Sequence, residues 1–426
     1  MSPEGKSPRR QLSLITVDQA IAGGSNVLIA VLAARLLDAA SFGLFGIVFL
    51  LYVMAQGVSR ALVCDPLLVH PADAEERKRE VIGTSCTLGI ALGFGVVLIG
   101  LAMLLVDEGL GTALIVLGVF LPLLVLQDLG RYLAFTTQRP ASALVLDLTW
   151  LVLLAGAVVP LFVTDTESLA WFIAAWSGSG ALAGLLLFVQ HRTGGLHLNL
   201  AWLRYTWGFS WRYLISYVAT QGGALAASSA VGAIAGARAL GGVQGAILLV
   251  RPFMTFQIAV TAASIGHVTR SLGAAEAIRR HVTGTTALTT AVAAANLAVI
   301  LVLPDSVGEA VLGDSWEVAE PLLLATGVQI VFLGLMTGAR AGLLGMRAIR
   351  KVMRIDVITT ALVFIASIIG AVINGALGAI WAVTFVQAFV TIVMWITFLA
   401  HTPRADDPAA AASEALAATA TTPPAV

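Results

Sequence analysis

Residues 131–147 read RYLAFTTQRPASALVLD, and residues 340–356 read RAGLLGMRAIRKVMRID. In each, an arginine is followed sixteen residues later by an aspartate: Arg131 by Asp147, and Arg340 by Asp356. Each pair brackets a short polar break between two long apolar runs. The second copy begins 209 residues after the first, roughly half the chain. A further echo lies upstream. Ala34-Arg35-Leu36-Leu37 and Ala237-Arg238-Ala239-Leu240 each close an apolar run, and Gly43 and Gly245 follow. A pattern stated twice, almost wholly in membrane-spanning residues, is the mark of an internally duplicated membrane protein.

Composition sets the same bound. Hydrophobic residues make up 58% of the 426 and charged residues 11%, against about 25% charged in a soluble domain. No large aqueous domain fits. The net charge is zero, which argues against a nucleic-acid partner. The two cysteines, Cys64 and Cys86, read as free thiols with no metal or disulfide role. The six histidines (His70, His191, His197, His267, His281 and His401) show no metal spacing, and no nucleotide-binding loop is present. No cofactor is expected.

A spanning helix needs about 20 mostly apolar residues. Twelve such runs occur, near 12–37, 41–63, 81–106, 111–136, 142–164, 168–190, 208–235, 241–268, 283–304, 319–343, 355–374 and 376–400. The expected fold is therefore all-α and polytopic. It has a leader (1–11), a first six-helix lobe (12–190), an interfacial linker (191–207), a second lobe (208–402) and a disordered tail (403–426). Trp202, Tyr205, Trp207 and Trp211 beside Arg204 and Arg212 suit an aromatic anchor at headgroup level. Lysine and arginine gather in the even-numbered connections and at both ends, whereas the odd-numbered connections carry mostly acids. That bias places both termini in the cytoplasm. An even number of helices per half makes the repeats parallel, with a substrate site between them. The longest outer connection, Pro304 to Glu320, is acidic but short, which disfavours a membrane glycosyltransferase.

Ionisable residues inside a bilayer are costly unless paired or hydrated, so each needs a reason. Arg131 and Asp147 lie eight residues either side of Arg139. An antiparallel hairpin sets them at equal depth, and the same holds for Arg340 and Asp356. Both pairs read as structural clamps. Arg35 and Arg238 sit at helix ends, where snorkelling accounts for them; substrate contact is the alternative, and Arg35 is a further cavity candidate. Arg60 in helix 2 and Asp18 in helix 1 form a candidate pair in a polar region with Gln56. This pair is either a buried network or the wall of a hydrated cavity. Arg251 falls near the middle of helix 8, beside Pro252. The repeat sets it opposite Phe49, and no acid is close in sequence. It is either the partner of a distant acid, such as Asp18 or Asp128, or a cavity residue that receives an anion. The planar guanidinium fork suits phosphate. Gln221 and Gln257 echo Asp18 and Gln56 and are further cavity candidates.

The stretch Ala33 to Gly46 resembles the first hairpin of polysaccharide-exporter proteins of the multidrug/oligosaccharidyl-lipid/polysaccharide (MOP) flippase superfamily. Arg131 to Asp147 resembles that family's fourth-to-fifth helix connection, and Trp202 to Tyr213 the start of its second lobe. The resemblance is specific over about fifty residues. It implies two six-helix lobes around a cavity that opens alternately to each side. It also implies a polyprenyl-phosphate-linked oligosaccharide as substrate, membrane lipid around it, and glycan-assembly proteins as possible partners. Asp18 would be the candidate for H+ or Na+ coupling. A drug or metabolite antiporter of the same architecture is the alternative. A non-transporting assembly partner is a further one.

Overall fold

The computed structural model describes residues 28–69, 76–137, 140–191, 197–271 and 274–402. The leader, Asp18, Arg139 and the tail from 403 lie outside them. Every regular element among the described residues is helical. The helices are α1 (28–36), α2 (Ala39–Ser59), α3 (Lys78–Met103), α4 (Glu108–Thr136), α5 (Pro140–Val163), α6 (Leu169–Gly184) and α7 (Ala201–Ala235). They continue with α8 (Ala237–Arg270), α9 (Ala275–Leu301), the short α10 (Asp305–Leu312), α11 (Leu323–Gly345) and the stretch Ile349–His401. That last stretch is two helices, α12 and α13. Asn374 and Gly375 leave helical geometry, with Gly375 at φ 55°.

Nine of these stretches are long and apolar enough to cross a membrane. Counting Ile349–His401 as two and adding α7 makes eleven of the twelve runs read from the sequence; α1 falls in the remaining run, 12–37, of which residues 12–27 lie outside the described residues. In several helices most of the apolar surface points outward. Only 17% of the apolar window of Ile349–His401 is buried, and 28% of those in α3, α5 and α9. Such faces need lipid rather than a protein core.

Local chemistry sets the ends. Asp38 caps α2 by accepting from the Ala40 and Ser41 amides, both at 3.2 Å. Asn199 starts α7 by accepting from the Ala201 amide at 3.1 Å, and Thr87 Oγ1 donates to its carbonyl at 3.0 Å. Residues 201–207, within the expected linker, are already helix. Trp202 is also not a headgroup anchor. It is fully buried in a cluster with Leu62, Val63, Leu67, Cys86 and Leu129. Tyr205, Trp207 and Trp211 are exposed, as an anchor requires. The outer connection 304–320 is likewise folded, into α10, a 3-10 turn (Gly313–Ser315) and a helical turn (Trp316–Ala319), with Trp316 buried against Gly308.

The chain forms two compact units: Met1–Gln244 with Gly308–Val318, and Gly245–Val307 with Ala319–Val426. The first unit has an aromatic core in which Tyr52 and Trp176 meet edge-on, centroids 4.9 Å apart. It also holds a reciprocal contact between α2 and the start of α8. A Cβ on Gly43 would overlap the Ala237 carbonyl, and one on Gly241 would overlap the Ala39 carbonyl. The echoing segments thus meet through Gly43 and Gly241. The second unit packs around Val282, Ala339, Leu343, Met394 and Phe398.

Candidate functional site

In the first unit, the turn that follows α2 (Arg60–Cys64), α4 and α5 bring four charges together. Arg60 binds Asp128 side-on, with Nε donating to Oδ2 at 2.6 Å and Nη2 to Oδ1 at 2.7 Å. Arg131 Nη1 is 4.0 Å from the same carboxylate, and its Nε is 3.3 Å from Asp147 Oδ2. Gln127 Nε2 donates to Asp147 Oδ1 at 3.0 Å. The order is Arg60, Asp128, Arg131, Asp147, alternating in sign. Asp128 and Arg131 belong together because three residues set them on one helix face.

Exposure is unequal along this chain of charges. The carboxylates are sealed, Asp128 at 3% and Asp147 at 6%, whereas Arg60 is 36% exposed. Its guanidinium also lies 5.8 Å from the Tyr132 ring. Gln56, one turn before Arg60, is buried and donates to the Tyr52 hydroxyl at 2.8 Å. Gln221 hydrogen-bonds Tyr217, which donates to the Val53 carbonyl at 2.7 Å. An apolar crevice of about 520 Å³ opens in the same unit, with Leu44, Leu51, Leu114, Leu225 and Leu240 in its walls.

Asp18, the partner expected for Arg60, lies outside the described residues; among them, the carboxylate that Arg60 binds is Asp128, on α4. A buried carboxylate in an apolar bundle requires a cation, and Arg60 supplies it. Arg35 Nη1 donates to the Glu309 carbonyl at 3.1 Å. Arg238 pairs with Glu317 at 2.7 Å on the exposed surface.

The second unit holds the other candidates. Arg340 and Asp356 form a two-pronged pair, Nη1 to Oδ1 at 2.5 Å and Nη2 to Oδ2 at 2.8 Å. Arg251 is half-buried close to the middle of α8, and Pro252 follows it inside the helix. Gln257, less than two turns on, donates to Thr337 Oγ1 at 3.2 Å. Among the described residues, no three metal-ligating side chains cluster.

This architecture defines a class: it is the fold of MOP-superfamily transporters. An inward-facing multidrug resistance MATE family transporter of that superfamily aligns with a TM-score of 0.71 and 13% identity, over 92% of this chain and 94% of its own. The lipid II flippase MurJ, in an inward closed conformation, aligns with a TM-score of 0.71 and 9% identity, over 90% and 87%. A MOP transporter from Pyrococcus furiosus, described as having a binding pocket of reversed polarity, aligns with a TM-score of 0.58 and 14% identity, over 94% and 98%. At these identities the likeness is one of fold. No protein-family model and no curated protein matches the sequence. The likeness to polysaccharide exporters in particular is carried by the sequence segments alone.

Proposed function

We propose that the protein is a flippase. It carries a polyprenyl-(pyro)phosphate-linked oligosaccharide across the bacterial cytoplasmic membrane for a cell-surface polysaccharide, by alternating access. The observation that supports this reading is the inequality within the charge network. Its carboxylates are buried and held by arginine, while the Arg60 guanidinium is the accessible group. A carrier of cationic drugs needs the reverse, an accessible carboxylate. Arg251, near the middle of α8, is a second guanidinium at a depth where charge has a functional reason. Arginine suits a phosphate, since it donates two parallel hydrogen bonds. The isoprenoid tail stays in lipid, and the apolar crevice of the first unit fits a segment of it. Binding only biases states already populated, so turnover requires an energy source, for which H+ or Na+ coupling is the simplest.

Gene deletion followed by mass spectrometry of polyprenyl-linked glycans tests this. The expected result is loss of the surface polymer, with its completed lipid-linked unit accumulating. Arg60→Gln and Arg251→Gln, present at normal protein level, should fail to complement. Normal glycans with altered drug sensitivity would instead favour the antiporter reading.

A further inference from the structure

The helix that carries Arg60 is not a regular α-helix at that point. Arg60–Cys64 form a π turn, and the Asp65 amide reaches back five residues to the Arg60 carbonyl. Pro66 accounts for the irregularity. It has no N–H, so the Leu62 carbonyl, four residues earlier, has no α-helical donor. Such carbonyls are costly in an apolar bundle. Two side chains from α7 donate to carbonyls of this turn. Trp202 Nε1 donates to the Val63 carbonyl at 3.2 Å, and Ser210 Oγ lies 3.4 Å from the Leu62 carbonyl and 3.1 Å from the Thr206 carbonyl and hydroxyl, among which its one proton is shared.

The π turn also decides where Arg60 points. In an unbroken α-helix, Arg60 and Leu67 would share a face, since residues seven apart nearly superpose. One added residue turns the downstream segment by about 100°. Leu62, Val63, Cys64 and Leu67 then pack with Trp202, while Arg60 binds Asp128, and Tyr132 touches both the cluster and the guanidinium. We infer that Trp202, with Ser210, is a positioning residue for the anion site: its indole N–H holds the π turn that aims the Arg60 guanidinium. The identity of the anion rests on the flippase reading, but the role of Trp202 in the π turn does not.

The test uses full-length protein in lipid nanodiscs, with farnesyl diphosphate as the probe. Trp202→Phe keeps the ring and removes the donor. It should weaken probe binding about fivefold, the scale of one lost hydrogen bond. In an Arg60→Gln background the same substitution should weaken binding no further, because its effect passes through Arg60. A second readout is independent of any ligand. In a Cys86→Ala protein, Trp202→Phe should speed N-ethylmaleimide labelling of Cys64, which is 1% exposed within the turn. Unchanged labelling overturns the proposal, as does an equal fivefold loss in the Arg60→Gln background. If Arg60→Gln binds like the wild type while labelling still speeds up, the phosphate reading fails and the π-turn role stands.

Discussion

Arg60 and Asp128 meet side-on at 2.6 and 2.7 Å, yet the guanidinium is 36% exposed and the carboxylate 3%. Asp128 also lies 4.0 Å from Arg131. The pair is therefore asymmetric: losing Arg60 still leaves Asp128 near a cation, whereas Arg131 serves two carboxylates.

The stability consequences follow that asymmetry. Arg131→Gln removes a guanidinium 3.3 Å from the 6% exposed Asp147. Removing one partner of a buried pair costs about 3–5 kcal/mol. Arg60→Gln should cost less than half as much. Denaturant titration of both variants in detergent would check the order. A larger loss for Arg60→Gln would show that Arg131 does not hold Asp128 in its absence.

In the second unit, Arg340 and Asp356 are 28% and 24% exposed. Arg340→Met and Asp356→Leu should each destabilise, and the double variant should be milder than either, because a lone charge in an apolar bundle is the costly state. A double-mutant cycle on unfolding free energy measures the coupling. Additive losses would mean the two side chains act independently.

The reciprocal contact of α2 and α8 depends on glycine. Gly241→Val would drive a side chain into the Ala39 carbonyl. It should cost about 1–3 kcal/mol, the usual range for overpacking. Gly95, with open space around it, is the control. Gly95→Ala should be neutral or stabilising by up to about 1 kcal/mol. Thermal unfolding of the two variants separates a packing requirement from general glycine chemistry.

The turn between α12 and α13 depends on backbone freedom. Gly375 sits at φ 55° and ψ −143°, a region that side chains avoid. Gly375→Ala should destabilise by about 1–3 kcal/mol. Asn374→Ala at the adjoining position, φ −148°, should cost less. A comparison of melting temperatures decides.

Much of this was legible before any coordinates. Apolar runs of spanning length announce the helices, because a bilayer leaves backbone polar groups no other partner. The sixteen-residue spacing was enough to place Arg131 by Asp147 and Arg340 by Asp356, since a hairpin sets residues equidistant from its turn at one depth. Trp202 misled because tryptophan beside arginine is the composition of an interface. It also satisfies a buried core with one donor to spare, and the Val63 carbonyl took that donor. The π turn had a signal, Pro66 six residues after Arg60, but proline alone does not say whether a helix ends, bends or adds a residue.

Local and periodic properties were settled by the sequence itself: a duplicated, all-helical membrane chain with a charged hairpin in each half. These depend on residue type and short spacing, which the chain carries wherever it folds. The partner of Arg60 was decided by tertiary structure, from 68 residues away. An arginine in a bilayer requires a counter-charge but does not specify which. The choice depends on how each helix is rotated about its axis, and here a π turn, held by side chains from another helix, sets that rotation.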